Sequence, residues 1–303
     1  MNAYPKTHGD KLVALLNNPK LPSIDKVRVE EAVKRYNAWM VEMEAIKGTK
    51  LDILNGFVTL FNTYKKYIDL DLIFDSPSDF LYRQKGQLKL DNTVIEEFLP
   101  ILVGRYFEDE VKKHNLRLGP TTCVSGIRFD TSVTGMLCGG GLELRQKDQD
   151  FAISRPIYVR ASHQKDLSDG ITKESNIAFV ACECKTNLDK TMFQEAAATA
   201  LDVKAAVPCA RYFLLCEWLD MTPIATSTTA IDEIIILRKA KRLGSDMRKE
   251  FNDTIARKRM RGFFLAHLDT HPFVPETFKR FLDHIELMLT NDEEDKVLDR
   301  GYF

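Results

Sequence analysis

The sequence predicts an α/β protein: a central mixed sheet flanked by helices, with a helical N-terminal region. Three observations lead there. Apolar residues recur at helical spacing through the first third of the chain. From Thr121 onward the apolar runs shorten to strand length and glycines punctuate them. The stretch from Ile177 to Trp218 then reads strand, alanine-rich helix, strand, the order that builds a sheet with helices on its faces.

In chain order, Ser23 is a candidate N-cap for a helix carrying Val27, Ala32, Val33, Tyr36, Met40 and Met43 inward, stopped by Gly48. A second helix runs from about Lys50 to Tyr67 with Leu51, Leu54, Phe57, Val58, Phe61 and Tyr64 on one face; aspartates and Pro77 then break the pattern. A third, Asn92 to His114, turns Ile95, Phe98, Leu99, Leu102, Val103, Tyr106 and Phe107 inward. Pro100 predicts a kink or split there. Leu142–Leu144, Phe151–Ile153 and Ile157–Val159 read as strand fragments, Arg145–Lys147 as a turn, and His163–Asn176 as a surface loop. Gly135 and Gly139–Gly141 mark turns. Leu188 to Ala206 is a helix, Arg211 to Trp218 and Ile231 to Leu237 are strands, Val274 to Leu289 is an amphipathic helix, and 291–299 is an acidic tail. With no linker or repeat, residues 1–90 read as a helical region packed on a 91–303 core with a basic C-terminal section.

Composition narrows the function classes. The net charge of −1 gives no global sign of a polyanionic partner, so any such signal must be local. One exists: between Arg238 and Arg261, ten Lys or Arg face only Asp246, Glu250 and Asp253. Such a run is either a solvated helix face or a footprint for phosphates, with Arg257, Lys258 and Arg259 as the candidate contacts. No run approaches a membrane span and the first ten residues hold no signal-peptide core. The six cysteines lack Cys-x-x-Cys spacing and read as buried reduced thiols of a cytoplasmic protein. The glycine triplet has neither P-loop nor Rossmann spacing.

The chemistry concentrates at Phe179-Val180-Ala181-Cys182-Glu183-Cys184-Lys185. Side chains alternate along a strand, so Glu183 and Lys185 project to one side and the two cysteines, as core fillers, to the other. Either these charges simply reach solvent at the strand end, or they do phosphodiester chemistry. In the second case the carboxylate holds Mg²⁺ while the lysine orients and polarises the attacking water. A metal needs a second carboxylate. Asp150, opening the alternating strand Phe151-Ala152-Ile153, supplies one, and Asp148 is its rival. Glu96 and Glu97 are either favourable charge near a helix N-terminus or an outer carboxylate facing the metal.

With Asp150, Glu183 and Lys185 in place, the chain resembles the PD-(D/E)XK nuclease superfamily, although Gln149 stands where the motif's proline would be. The longer string Glu183 to Ala196 resembles the segment after the active-site strand in type II restriction endonucleases of the BbvCI-like family. The resemblance implies a PD-(D/E)XK core. It implies Asp150 and Glu183 as ligands of Mg²⁺ and Lys185 as the catalytic lysine. It also implies double-stranded DNA as substrate, cut at a short specific sequence within a restriction-modification system. Its implied partner is a second subunit, as homodimer or as heterodimer with a related chain. Gln194 and Glu195 either help order that site or serve packing and helix charge. Two other readings remain at this stage: a repair or recombination nuclease of the same fold that reads DNA structure, and a non-catalytic DNA-binding protein.

Overall fold

The structure is a computed structural model that describes residues 4–134 and 137–290; Gly135 and the acidic stretch 291–299 lie outside the described residues. The N-terminal layer is α1 (Thr7–Leu16), α2 (Ser23–Ala45) and α3 (Lys50–Lys66). At the start of α3 the Thr49 hydroxyl accepts from the Asp52 N–H at 3.2 Å, and the Asp52 carboxylate accepts from the Thr49 N–H at 2.9 Å. That reciprocal cap contributes about 1 kcal/mol. The expected cap of α2 is absent: Ser23 is already helical behind Pro22 and makes no capping bond. The inward stripe of α2 is also rotated, running Val29, Ala32, Tyr36, Trp39, Met43, so Val27 is 68% exposed. Leu51 is likewise exposed rather than inward.

The aspartates after Tyr67 do not end the helical run. Tyr67–Phe74 continues α3 as a π-helix, and Asp69 accepts from the buried Lys65 ammonium at 2.6 Å within it. α4 (Phe80–Leu88), which the sequence pattern did not reveal, is flanked by Asp79 at φ 62° and Lys89 at φ 51°. The helix expected over 92–114 splits, but at Phe107 rather than Pro100, into α5 (Thr93–Tyr106) and α6 (Glu108–Lys113). Pro100 is absorbed within α5, where its missing N–H leaves the Glu96 carbonyl without a helical donor.

Five strands follow: β1 (Arg117–Phe129), β2 (Leu142–Ala161), β3 (Ile171–Leu188), β4 (Arg211–Leu219) and β5 (Glu233–Ile236), in spatial order β1-β2-β3-β4-β5. β2 runs antiparallel to both β1 and β3, which meet in a parallel bridge at Cys123 and Asn176, while β4 and β5 add in parallel, with α7 (Lys190–Ala206) making the crossover from β3 to β4. This is the mixed sheet the sequence predicts. Two details differ. The expected β2 fragments are one strand of 20 residues, with Arg145–Lys147 paired to β1 instead of turning. The loop expected over 163–176 is shorter, because β3 resumes at Ile171.

The two sheet faces bury different partners. Phe151, Ile153, Val180, Cys182, Cys184, Phe213 and Leu215 face the helices, sharing one core with α1–α3, α5 and α10 (Pro275–Thr290). Ala152, Ala178, Ala181, Tyr212, Leu214 and Cys216 face α7, whose Ala196 and Ala200 let it lie close. Four cysteines are buried as expected; Cys138 and Cys209 are exposed, and all six are free thiols. After β5 come α8 (Ser245–Lys249) and α9 (Thr254–Thr270). No helix among the described residues is long and apolar enough to cross a membrane.

Candidate active site

The site forms where the sheet forks. β2 and β3 pair as far as Phe151 opposite Cys182. Beyond that step β2 follows β1, with Gln149 opposite Thr121, while β3 continues beside β4, with Glu183 opposite Leu214. Asp150 and Glu183 therefore stand one residue past the last shared pair, on diverging strands. The fork frees the Cys184 N–H from the β2 ladder, and it donates to Asp150 Oδ2 at 2.9 Å.

Burial pushes the Asp150 carboxyl above its ordinary pKa; the Cys184 N–H and Lys185 oppose the rise, and Glu183 adds to it. The Lys185 ammonium donates to Glu183 Oε1 at 3.0 Å, and the two side chains are 26% and 25% exposed. Burial works against the Lys185 charge, but Glu183 and Asp150 outweigh it and its pKa is raised, so it is an ammonium at neutral pH. Glu183 Oε2 and the hydroxyl of Tyr212, which projects from β4 on the same face, are both buried and make no hydrogen bond of good geometry, but they lie close enough that burial and then Glu183 push the Tyr212 pKa up.

The neighbouring glutamates divide. Glu96 turns to the fork: Asn92 Nδ2 donates to Glu96 Oε1 at 2.6 Å and to the Cys184 carbonyl at 3.0 Å, tying α5 to β3. Burial, then the Asp150 charge, pushes Glu96 up to about 7. Glu97, a helical step away, turns into the N-terminal layer. It accepts from the His8 and Gly9 N–H groups at 2.7 and 3.1 Å and from the Tyr36 hydroxyl at 2.6 Å, which satisfies the amino end of α1. Asp148 lies on the exposed β1–β2 ribbon, accepting from Thr122 Oγ1 at 2.6 Å. Gln194 and Glu195 are exposed on α7, while Phe193 and Ala196 turn inward.

The expected phosphate-gripping run needs correction. Arg257 is 1% exposed: its guanidinium donates to the carbonyls of Phe74, Ser76 and Phe251 and pairs with Asp79, so it ties α9 to the π-helix and cannot reach a ligand. Lys258 and Arg259 are exposed, Arg259 with Glu250 at 3.4 Å. Much of the remaining basic section is matched internally, Arg238 by Glu217, Arg242 and Arg248 by Asp220, and Arg261 by Asp71 and Asp75.

The donor set suits a hard divalent cation: two carboxylates meet at the fork, and one oxygen is buried and unsatisfied. No cluster of three or more His, Cys, Asp or Glu with metal-ligand geometry occurs among the described residues. One or two carboxylates are what Mg²⁺ ordinarily takes from protein, with water and phosphate oxygens completing the shell. Sequence reasoning missed Asn92 and Tyr212. Asn92 carried a weak signal, as a polar residue just ahead of the α5 apolar run; Tyr212, inside a buried strand, carried none.

An aspartate on one branch of a sheet fork and Glu-x-Lys on the other, in a five-stranded mixed sheet, define a nuclease of the PD-(D/E)XK class. The chain belongs to the Bpu10I restriction endonuclease family, whose model matches residues 87–303. Its fold is similar to that of BbvCI: the native BbvCI A2B2 tetramer, solved at low resolution, matches with a TM-score of 0.57 and 22% sequence identity, over 89% of this chain and 99% of that one. No curated protein matches it at a significant level.

Proposed function

We propose that the chain is a catalytic subunit of a type II restriction endonuclease that hydrolyses duplex DNA at a short specific sequence with Mg²⁺, leaving 5′-phosphates. The observation that carries this reading is the fork: Asp150 and Glu183 meet there with an unsatisfied buried oxygen, beside a lysine held as a cation. Asp150 and Glu183 would hold the ion, with Glu96 as an outer carboxylate oriented by Asn92. Bound Mg²⁺ supplies Lewis-acid polarisation of the phosphate and a lowered pKa for water. Lys185 orients the attacking water and offsets the charge that builds on the phosphorane. The Cys184 N–H holds Asp150 through Oδ2 and leaves Oδ1 available to the ion. Residues 91–303 carry this machinery and 1–90 buttress it.

One such site cuts one strand, so a double-strand break calls for two; a second, related subunit supplies the other in this reading, supported by the A2B2 assembly of BbvCI. Lys258 and Arg259 contact backbone phosphates from the exposed face of α9. The test is a plasmid digest by this chain together with the related subunit, with Mg²⁺ or EDTA, followed by sequencing of the ends. Discrete fragments with one common end sequence are expected only with Mg²⁺. Cuts that track branches or ends would mark a structure-reading repair enzyme, and binding without cutting a non-catalytic protein; either rejects the proposal.

A further inference from the structure

A cleft of about 510 Å³ opens beside the fork. Its walls are α4 and the turn after it, the end of β3 from Lys185 to Asn187, and the segment from Arg242 to Leu268. Two cationic side chains that line it, Lys85 and Arg248, are incompletely paired among the described residues. Among the described residues the Lys85 ammonium has no ion-pair partner, and it lies 4.4 Å from the centroid of the Tyr82 ring. Arg248 Nε is buried with no hydrogen-bond partner, although its other end reaches Asp220 at 3.7 Å. Burial depresses the Lys85 pKa, and the cleft's carboxylates do not restore it: Asp69 and Glu217 are taken by Lys65 and Arg238, and Asp91 accepts from the Asn92 N–H at 3.0 Å. An unpaired cation and an orphaned guanidinium donor cost stability in the free protein. A ligand that supplies anionic oxygens recovers that cost.

The aromatic walls argue against a nucleobase as that ligand. Trp218 is stacked on His267 at 4.8 Å and Phe74 on Phe264 at 4.4 Å, while the Tyr82 ring carries both Lys85 and Arg257. These rings are already engaged, so a base has no platform. Donors without acceptors, next to the lysine that serves the scissile phosphate, fit a second phosphate of the same strand.

We infer that the cleft is a backbone-phosphate subsite, in which Lys85 and the exposed end of the Arg248 guanidinium hold a phosphate of the cut strand adjacent to the scissile one. The inference rests on the nuclease reading above. It places the grip in the cleft wall, where the sequence pointed only to the 257–259 run. Lys85 and Arg248 act as positioning residues, fixing the strand against Lys185.

The test uses the full chain carrying Glu183→Ala, so that binding is read without cleavage, and a mixed-sequence duplex titrated by fluorescence anisotropy over a series of salt concentrations. Adding Lys85→Met keeps the apolar stem on Tyr82 and removes one cation. The slope of log affinity against log salt should become shallower by about 0.9 per phosphate lost. Lys85→Arg should restore it. Thermal stability of the Met variant should stay level or rise, since a half-buried charge without an ion-pair partner has gone; a structural lysine would give the opposite. Arg248→Lys, which keeps charge near Asp220 and removes the forked guanidinium, gives an independent reading: affinity several-fold lower with the fold intact. An unchanged salt slope for Lys85→Met, with DNA still bound, overturns the subsite and leaves the nuclease reading standing. Failure of the Glu183→Ala chain to bind DNA at all overturns both.

Discussion

Replacing Lys185 with methionine separates catalysis from folding. The ammonium meets Glu183 at 3.0 Å, but both side chains are about a quarter exposed, so water screens the pair. Exposed and half-exposed pairs contribute roughly 0.2–1 kcal/mol, and methionine retains most of the aliphatic packing. Stability should therefore fall by no more than ~1 kcal/mol. The rate should respond far more. An oriented charge next to the reacting phosphate is worth several kcal/mol in the transition state, and about 4 kcal/mol corresponds to roughly a thousandfold. The assay pairs single-turnover plasmid cleavage in Mg²⁺ with urea unfolding of the same preparations. Near wild-type cutting would refute the assignment of Lys185. A large rate loss matched by an equally large stability loss would refute the argument that the pair is catalytic rather than structural.

Other outcomes follow from the same geometry. Asp150→Asn should abolish cleavage and Asp148→Asn should leave it within a few-fold, because only Asp150 stands at the fork; the reverse result in a parallel digest would exchange their roles. Neutralising both Lys258 and Arg259 should flatten the salt dependence of DNA binding by up to about 2 units of log–log slope, and an unchanged slope would leave α9 as a solvated face. His8, fully buried between Tyr64 and Thr93, has its pKa lowered by burial and then by Lys65, to about 3. The folded state thus resists a proton that the unfolded chain accepts below about 6.5, so stability is complete above that pH and is lost as pH falls through the window between the two values. Between pH 7 and 5 this one group should cost about 2 kcal/mol. Urea titrations of wild type and His8→Gln at both pH values check it, since the variant should lack that part of the loss.

The placement of the candidate strand was legible because its information is local: alternation over Phe179–Lys185 assigns Glu183 and Lys185 to one face whatever surrounds them. The choice between Glu96 and Glu97 was not, since it depends on how α5 is rotated against the sheet, which Asn92 and the amino end of α1 set from opposite sides. Arg257 was misread for a similar reason. Three of its acceptors, at Phe74, Ser76 and Asp79, lie far away in sequence, and a basic run gives no sign of which cation is inside. The middle of β2 escaped notice because the β1–β2 ribbon there is largely exposed, so no buried face imposes an apolar alternation on Arg145–Asp148. The mixed sheet itself was predictable from the strand-helix-strand order, and the cleft beside the fork was not, because its walls come from segments more than 150 residues apart.

The claim on which the rest depends is that the fork between β2 and β3 seats a divalent cation. Anomalous diffraction from crystals soaked in Mn²⁺, collected for wild type and for Asp150→Asn, measures this directly. A peak within bonding distance of Asp150 and Glu183 Oε2, absent from the variant, is the predicted result. A peak at Asp148, or none at the fork in the wild-type protein, would contradict the account.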